Sequence, residues 1–490
     1  MSLTSSMEIA RSNLSVLSER TAVTSRNVAN AGLQNSTRKL TNTVTAQGGI
    51  GVRLASITRA SDDALFDNLI ISNSSIGHHQ VIVDALDQLN QTVNDVEQDF
   101  SPAAVVGKLA DALQQFSAAP QNEIRGQAAI TAASDAANAL NGATDLVQQT
   151  RTRADQQIAD SVASLNNLLS QFEEVNRDVI AGTRTGADIT DRLDTRDRLL
   201  TDISREIGIR TITRANNDVA IYTDSGVTMF ETQPRTISFD ATLAFNATST
   251  GNAVVVDGVQ VTGPAAPLPI ASGRLKGLTE VRDEIAVTYQ HQLDEIARGL
   301  ISVFAESDQS AVPALPDATG LFSYTGSPAV PPAGAVVTGL AGQIRVNAAV
   351  DPSQGGDTDL LRDGGINGAV YLYNPSGGAG FSDRLLAMAD QFYSPRAFDP
   401  AALAGSTTTL VNYASNSIGW LQEARQSANT EFEFRTAIYE RSTDSLSKVT
   451  GVNLDYEMTV LLELERSYQA TSRLIATINN MFDSLILAAG

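Results

Sequence analysis

Apolar residues recur at alternating steps of three and four at both ends of this chain. The N-terminal series runs Leu3, Met7, Ala10, Leu14, Leu17, Thr21, Thr24 and Val28, the seam of a helix that lies along a partner helix. The C-terminal series runs Leu461, Leu464, Tyr468, Thr471, Ile475, Ile478, Phe482 and Leu485. Leu454 follows a potential cap at Asn453, and Asp455 and Glu457 suit the positive end of that helix dipole. A helix with one apolar stripe must bury it against something, so each arm is half of an interface.

Between the arms the pattern changes several times. Residues 35–60 read as extended, with a Gly48-Gly49-Ile50-Gly51 kink. A second seam, Leu65 to Val93, follows Asp62-Asp63 and includes His79 and Asn90. Ser101-Pro102 caps a short helix that stops at Pro120. The longest helical stretch spans about 122–181 and is closed by Gly182, and another runs from about Asp188 to Ile207. At 209 the periodicity switches. Asp224-Ser225-Gly226 separates two β-prone runs, and Asp257-Gly258 between valine-rich runs is a hairpin signal. Helix returns at about 274–306 and 381–393, with seven of the 15 prolines in the intervening 311–380. Asp399-Pro400 reads as another cap, and a stripe from Val411 to Val449 breaks at Gly451.

The expected fold is mainly α with a β insert: a long antiparallel helical bundle or coiled coil formed by both termini, plus a small central β domain. The expected units are terminal helical assembly arms at 1–60 and 451–490, and a helical bundle of 61–208 with 272–310 and 381–450. A β domain occupies 209–271 and an irregular Pro/Gly-rich segment with short strands 311–380. The length of 490 residues also requires several domains.

A formal charge of −21 argues against a nucleic-acid surface and against a polybasic membrane patch. There is no cysteine, so disulfides and thiolate-bound metals are excluded. Glu8, Arg11, Glu19, Arg20 and Arg26 interrupt any apolar signal core, and no run is long and apolar enough to span a bilayer. A cytoplasmic protein, or one exported without a cleaved signal, fits that pattern.

The candidate chemistry is sparse. His78 and His79 are adjacent and so point about 100° apart on a helix, the wrong spacing for a His-x-x-x-His metal pair. His79 reads as a register residue of its seam and His291 as a solvated surface residue. Asp357, Asp359 and Asp363 fail the Ca²⁺-loop spacing, because leucine and arginine occupy the fifth and sixth positions. The Gly48–Gly51 run lacks the Lys and helix of a phosphate loop, and Asp62-Asp63 reads as a helix cap. Neither Gly-x-Ser-x-Gly nor His-Glu-x-x-His is present. No cofactor, metal or catalytic set is expected.

Four stretches resemble the flagellar axial proteins, most closely the hook-associated family of the hook–filament junction. Asn27-Val28-Ala29-Asn30-Ala31 is similar to the family's Asn-x-Ala-Asn-Ala signature, and Thr37-Arg38 matches its ending; Gly32 to Ser36 depart from it. "TGVNLDYEMTVLLELERSYQATSRLIATINNMFDSLI" resembles the family's C-terminal arm, with Tyr468-Gln469-Ala470 in place of its Tyr-Gln-Ala. "LDTRDRLLTDISREIGI" (193–209) and "GRLKGLTEVRDEI" (273–285) resemble this family rather than a third hook-associated protein or a flagellin.

The resemblance implies a non-enzymatic subunit exported by a type III route, extracellular after assembly and cytoplasmic before it. Its partners would be hook subunits, copies of itself and the next junction protein, with an export chaperone on the C-terminal arm before secretion. The arms would order on incorporation, with the interface carried by Leu3, Met7, Leu14, Leu17, Asn27, Asn30, Leu454, Leu461, Leu464, Tyr468, Ile475, Ile478, Phe482 and Leu485. A different axial protein, an unrelated coiled-coil adaptor, or a hydrolase within the central segments are the competing readings.

Overall fold

The computed structural model describes residues 2–33, 36–46, 50–93, 100–312 and 315–489. Gln34 and Asn35 of the N-terminal motif, the Gly48-Gly49 kink and the side chain of Val93 lie outside the described residues.

The chain begins with helix α1 (Leu3–Asn30) and an antiparallel hairpin, β1 (Lys39–Thr45) with β2 (Val52–Arg59). Helices α2 (Asp63–Val93), α3 (Pro102–Ser117), α4 (Glu123–Thr185) and α5 (Thr190–Glu206) follow. The Asp62 side chain accepts from the Leu65 amide at 3.0 Å, so Asp62 is the cap its sequence position suggested. Ser101 caps α3 in the same way, with Pro102 in the first turn.

Helix α4 is the spine. Its 63 residues span about 95 Å at 1.5 Å per residue. Buried Ala129, Ala133, Ala136 and Ala137 let α3 lie close against its first half, and Ile158, Leu165, Leu169 and Phe172 fill the second. The helix outruns Gly182 and ends at Gly186, whose φ of 72° is the left-handed conformation a terminating glycine supplies. Gly182 matters for a different reason. A Cβ there would sit 2.3 Å from Ile189 Cγ2, so its absence lets the α4–α5 turn close.

The β insert consists of two three-stranded antiparallel sheets. One is β3 (Ile209–Thr213), β4 (Val219–Thr223) and β5 (Thr228–Phe230); the other is β6 (Ile237–Ser238), β7 (Val255–Val256) and β8 (Val259–Gln260). Asp257 and Gly258 both have positive φ, 51° and 79°, as a two-residue hairpin turn requires. Phe172 of α4 meets Phe230 edge-on at 5.0 Å. Asparagines along the spine grip the non-helical parts. Asn166 donates to the Ile237 carbonyl at 2.8 Å and accepts from its amide at 3.2 Å, while Asn141 donates to the Ile344 carbonyl at 3.0 Å.

The returning helix is α6 (Arg274–Glu280), a π-helical turn at Val281–Ile285, and α7 (Ala286–Val303). The π turn leaves the Arg282 carbonyl available to Arg151 Nε of α4 at 3.0 Å. Arg282 itself is buried and pairs with buried Asp155 at 2.5 Å, and Asp155 also accepts from the Thr242 amide at 2.6 Å. The Pro/Gly-rich part holds β9 (Phe322–Ser323), β10 (Arg345–Val346) and α8 (Asp359–Asp363), followed by α9 (Asp383–Gln391) and the pair β11 (Arg396–Ala397) and β12 (Thr407–Thr408). Its irregular backbone is tied down by buried carboxylates. Asp294 accepts from the Gly339 and Ala341 amides, each at 2.8 Å, and Glu306 from those of Ile366 and Asn367 at 3.2 and 3.0 Å. Burial, partly opposed by these hydrogen bonds, pushes the Asp294 carboxyl up to about 6.

Asp399-Pro400 caps only a single 3₁₀ turn; the long helix α10 (Leu410–Thr450) is capped by Thr409. α10 packs along α2, and α11 (Leu454–Ala489) runs back beside α1. The fold is therefore mainly helical, with small antiparallel sheets inserted between helices and long helices at both termini.

Candidate assembly interface

The two terminal helices are antiparallel. Asn13 donates to Thr471 Oγ1 at 3.2 Å and Asn27 to Glu457 Oε2 at 3.1 Å, so partners rise on one helix as they fall on the other. The buried positions on α11 are Glu457, Leu464, Thr471 and Ile478, spaced by seven. On α1, which packs along α11 and the β1–β2 hairpin, the buried positions are Ala10, Val16, Leu17, Val23, Thr24 and Asn27. This is the geometry of a two-stranded coiled-coil seam.

The seam divides the expected interface residues. Leu17, Asn27, Leu464 and Ile478 are buried in it. Leu3, Met7, Leu14, Asn30, Leu461, Ile475 and Phe482 are half-buried along its edges. Leu454, Tyr468 and Leu485 are exposed, at 50%, 46% and 54%, among the described residues. Tyr456, Met458, Leu462, Leu474 and Met481 are exposed as well. A pair of helices covers one face of each, so α11 keeps an open apolar surface of several side chains.

At its inner end the pair meets a polar hub. Asn27 Nδ2 donates to the Lys39 carbonyl at 2.9 Å as well as to Glu457, and the Lys39 amide donates to Asn27 Oδ1 at 2.9 Å. Glu457 also accepts from Arg38 Nε at 2.6 Å, and the Arg38 guanidinium lies 4.3 Å over the Tyr456 ring. Burial works against the Arg38 charge, but Glu457 and Tyr456 outweigh it and raise its pKa. The Arg38 amide donates to the Thr450 carbonyl at 2.8 Å, joining the hairpin to the end of α10.

Asp188, just before helix α5, and Asp191, Asp194 and Asp197 on it present a row of carboxylates at three-residue steps to the same region. Asp188 and Asp191 face Arg26, at 3.0 and 3.5 Å. Asp194 pairs with buried Lys39 and, at 3.0 Å, with Arg59, and it accepts from Thr37 Oγ1 at 2.6 Å. Asp197 pairs with Arg59 at 2.6 Å; burial still holds its carboxyl above the usual range, against Arg59 and Arg196. The stretch 193–209 thus includes the carboxylates that anchor the root of the arm to the body, and 273–285 contains Arg282, which anchors the β insert.

Sequence reasoning missed Lys39, Arg59, Asp194 and the buried role of Glu457. Glu457 does lie in the first turn of α11, as the dipole expectation has it, but it is also 2% exposed and bonded to Asn27 and Arg38. Extending the seven-residue spacing of Leu464, Thr471 and Ile478 back by one step would have found it. The surface reading of His291 is corrected. It is half-buried beside a cavity of about 770 Å³ between α6–α7 and the β insert, and burial lowers its pKa. His78 bonds Glu280 at 2.9 Å, and His79 lies 4.0 Å from Glu431, so each ties α2 to a neighbouring helix. Asp357 accepts from the Asp359 amide at 2.9 Å in the turn that leads into α8. Among the described residues no group of three or more His, Asp or Glu could hold a metal ion, and no helix is long and apolar enough to cross a membrane.

Comparison with known proteins places these features. Residues 86–320 match the family model described as the flagellar hook-associated protein FlgK helical domain. Residues 447–487 match the C-terminal model of the flagellar basal body rod FlgEFG proteins. Flagellar hook-associated protein 1 of Bacillus subtilis (strain 168) is 22% identical over 528 aligned positions, covering 99% of this chain and 98% of that protein. The flagellar hook junction protein FlgK from Burkholderia pseudomallei has a similar fold, with a TM-score of 0.57 over 77% of this chain and 99% of that one, at 13% identity. One model covers the spine and insert, the other the arm that pairs with α1, and a relative aligns from end to end: along its whole length the chain is similar to flagellar hook-associated protein 1.

Proposed function

We propose that this chain is a structural, non-catalytic subunit of the bacterial flagellum that joins hook to filament. The observation that carries the reading is the antiparallel α1–α11 pair, which buries one seam within the chain and leaves an apolar α11 surface open. Segments 1–60 and 451–490 act as assembly arms, the helices of 61–208, 272–310 and 381–450 as the body, and 209–271 and 311–380 as outer elements. The open surface of α11 takes hook subunits, further copies of this chain and the next junction protein, and before export an export chaperone. The chain leaves the cytoplasm by type III export and resides at the hook–filament junction.

Incorporation couples folding to binding. Ordering a backbone costs roughly 1–2 kcal/mol per residue, and a two-helix seam offsets this less completely than a packed body does. Neighbouring subunits supply the rest. Proteolysis and circular dichroism of the free monomer test the coupling: residues 1–50 and 455–490 should be cleaved first and gain helicity on assembly. Arms that are rigid and resistant in isolation would refute it. The function itself is tested by deleting the gene. Cells should keep hooks and lose attached filaments; normal filaments would overturn the proposal.

A further inference from the structure

A second cleft, of about 270 Å³, lies where α2, α4, α5 and α6 converge. Its lining includes Arg153 of α4, Arg205 at the end of α5 and Arg274 at the start of α6, against a single carboxylate, Asp84. That is a local excess of positive charge in a chain whose net charge is −21.

Glycines draw these arginines together. A Cβ at Gly77 would lie 2.3 Å from the Arg205 carbonyl oxygen, and one at Gly277 would lie 2.4 Å from the His78 carbonyl oxygen. Gly273, with φ +94°, lies against Ile207 in the same way. The backbones of α2, α5 and α6 therefore approach closely, which sets Arg205 and Arg274 at one mouth.

The cations are under-used. Arg205 and Arg274 make no ion pair within 4 Å and no side-chain hydrogen bond among the described residues, and Arg153 bonds the neutral amide of Gln88. Asp84 is held by Gln80 at 2.8 Å. The charge of Asp202, one turn back on α5, and that of Arg205 are close enough to interact, without a contact pair. The central cation is Arg274, half-buried in the cleft lining, whose charge no carboxylate among the described residues offsets within 4 Å. Guanidinium charge that the fold leaves without a carboxylate at a cleft is available to a ligand, and an oxyanion is the ligand whose planar, multidentate acceptors match it.

We infer that this cleft binds a small inorganic oxyanion of the phosphate class, gripped by Arg274 with Arg205 and Arg153 at the rim. Such an ion would cross-link the ends of α5 and α6 to α2 and α4.

The test uses the full chain, titrated with sodium phosphate, sodium acetate and sodium chloride at matched ionic strength, followed by thermal unfolding and calorimetry. Phosphate should raise the unfolding midpoint saturably where chloride does not. Arg274→Gln should weaken phosphate binding by about tenfold or more, and Arg274→Lys, which keeps the charge but loses the fork, by less. Arg125→Gln, at the start of α4, should bind as the parent does. Equal responses to phosphate and chloride, or unchanged affinity in Arg274→Gln, would overturn the inference. Tighter binding of acetate than phosphate would assign the cleft to a carboxylate and overturn it as well. If Arg274→Gln does not fold, Arg205→Gln, whose side chain is exposed, replaces it. Loss of affinity is then expected, and parental affinity contradicts the site.

Discussion

Asn27→Ala should uncouple the assembly arm from the body without unfolding the body. Asn27 is 2% exposed and makes three hydrogen bonds, two to the Lys39 backbone and one to Glu457. Alanine leaves the Lys39 amide and carbonyl without those partners. An orphaned buried group costs about 1–3 kcal/mol, so the expected loss is about 2–4 kcal/mol in local stability. At 1.4 kcal/mol per factor of ten, hydrogen exchange at the Lys39 amide, measured on assembled subunits in which the arm is ordered, should accelerate by more than about tenfold. Amides in α4 and α7 should keep their protection. Asn27→Asp sharpens the test, because it puts a second carboxyl about 3 Å from Glu457 Oε2. Repulsion raises the folded-state pKa of that pair above the unfolded value of about 4. The folded state then takes up the proton more readily, so the defect should be largest at neutral pH and shrink as pH falls toward 4. Unchanged Lys39 exchange in Asn27→Ala, or a pH-independent defect in Asn27→Asp, would refute the reasoning.

Three further outcomes are expected. Charged replacements at Leu464, Ile475 and Phe482 should block assembly and motility while the circular dichroism of the body persists; wild-type motility in that triple variant would count against the arm interface. Asp155→Ala takes one of two carboxylates from the buried Arg282 guanidinium, which Asp283 still holds at 2.7 Å, and orphans the Thr242 amide; it should cost about 2–3 kcal/mol, read by denaturant unfolding, with the largest exchange increase at residues 239–252; a loss below about 1 kcal/mol would contradict the anchoring role. Asp294, with its carboxyl at about 6 in the fold against 3.8 as a free side chain, takes up a proton on folding between those values. Its contribution to stability therefore rises as pH falls from 6 toward 4, and Asp294→Asn should flatten that part of the stability–pH curve.

The helices were legible because their evidence is local. Alternating steps at Leu3–Val28 and Leu461–Leu485, the Asp62, Ser101 and Asn453 caps and the Asp257-Gly258 turn each sit within a few residues of what they determine. The hub was not legible, since it is made of residues distant in sequence: Asn27 meets Glu457, and Lys39 meets Asp194. Charged residues at such distances read as surface until the fold brings them together. Gly182 was misread for a related reason. A glycine that admits a neighbour and one that ends a helix look alike in sequence, and only the packing of Ile189 tells them apart. Within the seam, the pattern could not say which apolar residues face α1 and which remain open. Tyr468 and Leu485 follow the same spacing as Leu464 and Ile478 and end up exposed.

The central claim is that this chain stands between hook and filament. Immunogold labelling of intact flagella with antibody against the outer segment 209–271 tests it most directly. Gold confined to the short zone between hook and filament is the expected result. Gold along the filament, along the hook, or absent from flagella altogether would contradict it.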